Sequence, residues 1–328
     1  MKILVTGGLG FIGSNFILKI LQQNTSYEIT NVDDELSGSH KENLLSIQKN
    51  PNYNFVKGNI TNKRLMNDLV NDCDVVINFA AESFVDKSIS DANPFLVSNI
   101  RGAYTILDLI TKHNKKMIHI STDEVFGSIE TSSATEEEKF NPSNPYAATK
   151  ASAELIINSF ISTHDSDVVI TRCTNNYGPR QFPEKLIPKT ILLANNNQKI
   201  PVYGDGKNIR DWIFVEDHCN AINEILMKGK SRTSYNISGN NEINNLEIVT
   251  KILDIMGKSH NLIDFVEDRP GHDYRYSLDS TKIQTELKWS SNVNFDEGLK
   301  ITVDWYLNNS NWIDSISKKV LNPTPWKN

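Results

Sequence analysis

Two groups of side chains in this 328-residue chain have the types and spacing that chemistry requires. Tyr146 and Lys150 bracket Tyr-Ala-Ala-Thr-Lys, so on a helix they share one face. An ammonium beside a phenol lowers the phenol's pKa, and a tyrosine tuned this way can remove a hydroxyl proton near neutral pH. Upstream, Ile118-His119-Ile120-Ser121-Thr122 reads as the end of a strand, with the neighbouring carboxyl residues Asp123 and Glu124 directly after it. One carboxyl can act as acid and the other as base when their surroundings separate their pKa values. Without further context such a pair is also an ordinary exposed turn.

The N-terminus supplies that context. Lys2-Ile3-Leu4-Val5-Thr6 is a strand pattern that runs into Gly7-Gly8-Leu9-Gly10-Phe11-Ile12-Gly13 and then an apolar helix. Gly7 suits a tight turn, Gly10 lets backbone approach a pyrophosphate, and Gly13 lets the helix pack on the strand. The free N–H groups of the helix start attract phosphate. A glycine pattern alone is weak, but between a strand and a helix it indicates a dinucleotide. The next strand ends at Asp33, about 20 residues further on, where a carboxylate accepts from the adenosine ribose and repels a 2′-phosphate. NAD is therefore expected rather than NADP. Asp34 is adjacent and leaves the assignment open by one position. Asn59-Ile60 follows the third strand and either lines the adenine pocket or forms a simple turn.

These residues need elements to position them. Apolar runs at Lys2–Thr6, Ile29–Asp33, Asn54–Lys57, Val75–Phe79, Met117–Ser121 and Asp167–Arg172 read as strands, with helical patterns between them. Such alternation predicts an α/β fold, a Rossmann-type doubly wound parallel sheet with its strand C-termini along one edge. The second half carries more Pro and Gly, and helices are expected at Glu184–Asn195, Val215–Met227 and Asn245–Met256. The expected division is an NAD-binding unit over 1–172, to which 207–240 returns, and a smaller α/β substrate unit over 173–206 and 241–328. Thr131–Lys139 is polar and acidic and reads as a solvated loop.

Composition narrows the function further. Hydrophobic residues make up 38%, enough for a sizeable core, and the formal net charge of −6 disfavours nucleic acid and anionic membrane as partners. No stretch approaches the roughly 18 apolar residues of a membrane span, and the N-terminal apolar run is too short for a signal segment. Three scattered cysteines, Cys73, Cys173 and Cys219, form no CxxC pair, so no metal site or disulfide framework is expected and a cytoplasmic setting is.

Taken together, the motifs resemble the extended short-chain dehydrogenase/reductase family, and within its nucleotide-sugar branch the dTDP-glucose 4,6-dehydratases. The resemblance rests on the glycine turn from Thr6, Ala80-Ala81-Glu82-Ser83, Thr122-Asp-Glu-Val-Phe-Gly127, Tyr146-Ala-Ala-Thr-Lys150, Asn175-Asn-Tyr-Gly-Pro179, Phe182-Pro-Glu-Lys-Leu-Ile-Pro188, Arg210-Asp-Trp212 and Asp268-Arg-Pro-Gly-His-Asp273. It implies a deoxysugar-forming lyase and a homodimer built through a helix bundle, with 146–160 as a contact. It also implies roles: Tyr146 as base for C4 oxidation, aided by Lys150 and Thr122, Glu124 as base at C5, and Asp123 as acid for the C6 hydroxyl. Ala80, Ala81, Ser121 and Asn176 would join the cofactor contacts.

For the nucleotide sugar the resemblance implies Ser83, Asn175, Lys185, Leu186, Asn245 and His272, with Pro201 and Tyr203 flanking the base. Arg210 and Arg269 offer planar forks suited to a diphosphate. Asn244 blurs the register of Asn245, and Arg210-Asp211 could equally be a local ion pair. Phe84 and Phe126 stand where this family commonly has histidine and tyrosine; Asn59 and Arg180 also depart from its pattern. These departures leave UDP- or CDP-glucose as alternative substrates, while a 4-epimerase or decarboxylase would share Tyr146 and Lys150 but has no need of Asp123 and Glu124. A non-catalytic NAD-binding regulator would need neither pair.

Overall fold

The computed structural model describes residues 1–36, 38–316, 321 and 326. Its first six strands are β1 (Lys2–Thr6), β2 (Glu28–Asp33), β3 (Tyr53–Lys57), β4 (Val75–Asn78), β5 (Lys116–Thr122) and β6 (Val168–Cys173). There follow β7 (Asn175–Tyr177), β8 (Ile200–Tyr203), β9 (Ile209–Phe214), β10 (Thr233–Ile237), β11 (Glu242–Asn244) and β12 (Ile263–Val266). Seven strands form one sheet in the order β10-β6-β5-β4-β1-β2-β3, and every pair in it is parallel. The chain winds outward from β1 to β3, then restarts at β4 and winds the other way. That switch leaves a crevice beyond the C-terminal ends of β1 and β4, where such sheets bind ligands.

Strands in a parallel sheet are covered on both faces and lose the polar alternation of an exposed sheet. Accordingly β4 and β6 are buried at every position. On one side Phe16, Ile17 and Ile20 from helix Phe11–Gln23 pack with Cys219, Ile222 and Ile225 from helix Val215–Lys228. On the other, Met66 and Val70 meet Ile106, Leu107 and Ile110 from helix Ala103–His113, and Ile157 from helix Pro145–His164.

The rest of the chain builds two small sheets at that C-terminal edge. In one, β9 pairs parallel with β7 and antiparallel with β11; in the other, β8 and β12 run parallel. Helices Leu186–Asn195, Asn245–Ile255 and Phe295–Asn308 close over a core containing Tyr177, Ile191, Trp212, Ile252, Leu299 and Tyr306.

Two local expectations change. The helix expected from Glu184 begins at Leu186, because Lys185 is held extended (φ −82°, ψ 154°) while its Nζ donates to the Ser83 carbonyl at 2.9 Å. Thr131–Lys139 is not simply solvated. Ala134 is fully buried with Val125, Phe126 and Leu278, and its carbonyl accepts from Asn236 Nδ2 at 2.9 Å. One small apolar residue in a polar run is enough to dock it. Among the described residues no helix is long and apolar enough to cross a membrane.

Candidate active site

The site begins where β1 ends. Gly7 turns at φ +71° and its N–H donates to the Val32 carbonyl at 2.9 Å. A Cβ there would lie 2.7 Å from backbone atoms of Ala80, and one on Gly13 would lie 2.7 Å from the Gly7 carbonyl. Both positions therefore require glycine. Helix Phe11–Gln23 starts from Gly10 without a side-chain cap. Its first turn thus presents uncapped N–H groups and the positive end of the helix dipole.

Asp33 is 5% exposed and accepts from Leu9 N (3.0 Å), Glu35 N (2.8 Å) and the Ser39 hydroxyl (2.7 Å). Burial pushes its pKa up, against the pull of those three donors. Asp34 instead accepts from Asn59 Nδ2 at 2.8 Å, while Asn59 Oδ1 holds Thr61 N and its hydroxyl. Asn59 thus forms a turn and ties the two strand ends together.

A cavity of about 290 Å³ runs from this turn across the edge of the sheet. Gly7, Gly10, Phe11, Ile12, Gly13, Asp33, Asn59, Ile60, Ala80 and Ala81 line one end. Ser83, Ser121, Thr122, Asp123, Glu124, Tyr146, Lys150, Asn175, Asn176 and Lys185 line the other. Leu186, Pro201, Tyr203, Arg210, Asn245, Arg269 and His272 are outside this lining.

At the reacting end, Thr122 closes β5 and Asp123–Phe126 forms a single 3₁₀ turn, with Glu124 N donating to the Thr122 hydroxyl at 3.3 Å. This turn aims two adjacent carboxyls at one cavity. Asp123 is 4% exposed; its Oδ1 accepts from Thr122 at 3.1 Å and its Oδ2 has no partner. Burial, then the charge of Glu124, raises its pKa well above the usual carboxylate range, the direction that favours its acid form. Glu124 Oε2 accepts from Asn144 Nδ2 (3.3 Å) and lies 3.4 Å from the Tyr276 hydroxyl oxygen.

Tyr146 enters from helix Pro145–His164, whose N-cap Asn144 accepts from Ala147 N at 2.9 Å. Thr122 beside its phenol favours the ionised form. The helical spacing predicted that Lys150 lowers this phenol. Instead burial, followed by the charge of Glu124, raises it well above its ordinary value. Lys150 is 4% exposed and its Nζ donates to the Ile120 carbonyl at 2.6 Å. Burial pushes its own pKa down to about 8, with Glu154 opposing.

Spacing had not singled out what stands behind Lys150. Glu154, one turn along the same helix face and fully buried, accepts from the Ser121 hydroxyl at 2.5 Å and from Arg172 Nε and Nη2 at 2.9 and 2.8 Å. The guanidinium lies over the rings of Phe126 (4.9 Å) and Phe140 (5.4 Å). The signals were present: an acid four residues after Lys150, and an arginine inside the apolar strand Val-Val-Ile-Thr-Arg-Cys. The tyrosine at position 126 of the family pattern is thus replaced by a ring that stacks on a cation.

The second cluster is organised by Asp86, another residue without a sequence signal. It accepts from Arg269 Nη1 at 2.7 Å and from the Tyr203 hydroxyl at 3.1 Å. Arg269 Nε is buried without a partner. His272 pairs with Asp268 at 2.6 Å, and burial with the nearby Arg269 and Arg210 pushes its imidazole down to about 4. Arg210 does not pair with Asp211. It donates to the carbonyls of Ile209 and Asp273 and lies 4.2 Å over Tyr276, while Asp211 accepts from Ser238 and Asn241 N. Asn244 caps helix Asn245–Ile255, so Asn245 begins the helix beside it. Leu186 packs into the core beside the small sheets, and Pro201 sits in β8 opposite Asp264. Phe84, at the position of the family's histidine, packs on Phe182 (5.9 Å) with Lys185 Nζ 4.9 Å from its ring. Asn176 Oδ1 meets His218 Nδ1 at 2.9 Å.

Comparison with known proteins fits this geometry. Residues 4–302 match the family model described as GDP-mannose 4,6 dehydratase. The low-salt glycan biosynthesis protein Agl12 of Haloferax volcanii is 47% identical, with 94% of this chain and 99% of that protein aligned. A dTDP-glucose 4,6-dehydratase of Streptomyces niveus is 44% identical over 95% of this chain and 94% of its own. The crystal structure of the Bacillus anthracis dTDP-glucose 4,6-dehydratase in complex with NAD superposes with a TM-score of 0.90 at 44% identity, covering 95% of this chain and 98% of that one. The chain belongs to the nucleotide-sugar dehydratase family that the GDP-mannose 4,6 dehydratase model describes.

Proposed function

We propose that this chain is an NAD-dependent dTDP-glucose 4,6-dehydratase, a hydro-lyase that converts dTDP-glucose to dTDP-4-keto-6-deoxyglucose and water. One observation carries the reading: Asp123, Glu124 and Tyr146 line the same cavity as the glycine turn. The residues at the turn fit NAD. The helix start lacks a side-chain cap, Gly7 and Gly13 leave no room for a Cβ, and Asp33 places a carboxylate beside the turn. Bound NAD would supply a hydride acceptor for C4 and a hydride donor for C6, and its cationic ring would favour a phenolate at Tyr146.

The chain's own residues do the rest. Tyr146 takes the proton of the C4 hydroxyl while Thr122 hydrogen-bonds the oxygen. Oxidation at C4 acidifies the C5 hydrogen, which Glu124 removes. Asp123, whose pKa burial raises, gives its proton to the C6 hydroxyl, which leaves as water. Lys150, Ser121, Asn176 and Ile60 line the cavity and would hold the cofactor. Ser83, Asn175 and Lys185 face the sugar. Arg269, with a buried Nε–H still unpaired, and Arg210 serve the diphosphate; Tyr203 and Pro201 would flank the base, and Leu186, Asn245 and His272 would face the substrate.

Two further parts of the reading have separate support. Three free, buried cysteines favour a reducing cytoplasm. A homodimer is favoured by Leu155 (60% exposed), Leu96 (48%) and Tyr104 (44%), large apolar side chains on the neighbouring helical segments. The direct test is a panel of dTDP-, UDP-, CDP- and GDP-hexoses with product mass and alkaline ultraviolet absorbance. Water loss from dTDP-glucose supports the reading. A galactose isomer in its place would make the chain an epimerase.

A further inference from the structure

A base that strips C5 must then release the proton it has taken. The cavity side of Glu124 faces the sugar in the reading above, so the remaining route is through the protein behind it. There Glu124 Oε2 lies 3.4 Å from the Tyr276 hydroxyl, which lies 2.6 Å from Asp273 Oδ2. The same Asp273 oxygen accepts from the hydroxyl of Ser143, and Ser143 is exposed. The chain of contacts therefore leads from a cavity-lining carboxylate, across two buried side chains, to solvent. Its parts are fixed from several sides. Arg210 lies over the Tyr276 ring and donates to the Asp273 carbonyl, and Asn144 holds Glu124 Oε2 from the helix that carries Tyr146.

We propose that Tyr276, Asp273 and Ser143 form a proton relay that connects Glu124 to water, a deepening of the dehydratase reading that rests on it. With its hydrogen directed to Asp273, the Tyr276 oxygen turns a lone pair to Glu124. A proton arriving on Glu124 passes to that oxygen as the phenol proton passes to Asp273 Oδ2, so no tyrosinate forms. That matters because burial and the charge of Glu124 hold the Tyr276 phenol well above its ordinary pKa. The Ser143 hydroxyl then turns its hydrogen from Asp273 to water, and Asp273 gives its proton to the Ser143 oxygen as that hydrogen leaves to water. Each carrier ends with the protons it began with, and one proton moves from Glu124 to solvent. Run backwards, the relay returns a solvent proton to C5.

The experiment compares two rates in D2O for the full-length protein with NAD and dTDP-glucose. One is the appearance of reduced nicotinamide, which reports C4 oxidation. The other is deuterium wash-in at C5, read by mass spectrometry. In Tyr276→Phe and Ser143→Ala the ratio of wash-in to nicotinamide reduction should fall about tenfold or more, and Ser143→Thr should restore it. Ser143 is exposed, so its substitution leaves the core untouched. An unchanged ratio in both variants overturns the relay while leaving the dehydratase reading standing. Absence of nicotinamide reduction and of any 4-keto-6-deoxy product in the unsubstituted protein overturns both.

Discussion

At the scale of single residues, burial rather than sequence neighbourhood sets the acid–base chemistry. Asp123 and Glu124 are adjacent in sequence, yet Asp123 is 4% exposed and Glu124 is half-buried, and burial raises the Asp123 pKa well above the usual carboxylate range. Tyr146 illustrates the reverse limit of spacing arguments, since its partner Lys150 turns to the Ile120 carbonyl. Tyr146→Phe should lower C4 oxidation by about 10²–10⁴-fold, measured as reduced nicotinamide in single turnovers; wild-type formation would remove Tyr146 from the first step. Lys150 titrates at about 8. Its ammonium is complete below that pH and lost above it, so kcat should fall as pH rises through about 8. The fall should be absent in Lys150→Arg, whose charge persists far into the alkaline range. A profile for the unsubstituted protein that stays level through this range would take the ammonium out of the mechanism. Asp33→Ala should weaken NAD binding in titration calorimetry, and an unchanged affinity would move that role to Asp34.

At the scale of elements, two contacts decide whether the site is assembled. One is the approach of helix Phe11–Gln23 to β1. Adding a methyl at Gly13 puts it 2.7 Å from the Gly7 carbonyl and 2.9 Å from Gly8 Cα, both backbone. Gly13→Ala should cost about 1–3 kcal/mol in denaturant unfolding, together with NAD affinity. The other is the pair Glu154–Arg172, which ties helix Pro145–His164 to β6 and holds Ser121. With the two side chains 0% and 4% exposed, removing one leaves an uncompensated buried charge. Arg172→Met alone should destabilise by about 3–5 kcal/mol, and the double variant Glu154→Leu with Arg172→Met by clearly less. Equal losses in the two would mean the pair is not coupled.

At the scale of the whole molecule, helices Ala103–His113 and Pro145–His164 carry part of the exposed apolar surface. Tyr104 stacks edge-on to Phe160 at 6.0 Å, and Leu155 projects nearby at 60% exposure. Leu155→Glu should shift the sedimentation coefficient from dimer to monomer without loss of secondary structure. An unchanged coefficient would place any self-association on another surface. The helix that would carry this contact also carries Tyr146, Lys150 and Glu154, so dimer loss is expected to depress turnover as well.

How much of this was legible beforehand follows from what each feature depends on. Strand–helix alternation, the glycine turn and the acidic end of β2 are local patterns, set by backbone geometry and by periods of two and 3.6 residues. The six expected strands all recur in the central sheet, within a residue or two of their predicted ends. The paired carboxyls and the Tyr-x-x-x-Lys helix were equally visible, because their chemistry is written in type and spacing. Asp86 gathering Tyr203 and Arg269, Tyr276 reaching Glu124 from 152 positions away, and Arg172 lying beside two phenylalanine rings had no such pattern. Those arrangements, and the protonation each imposes, come from burial and from partners distant in sequence. The sequence by itself thus determined which elements form and which groups could react. Only the packed tertiary structure decided which of those groups keep their protons and which side chains hold them in place, because desolvation has no value until the chain has closed around the group.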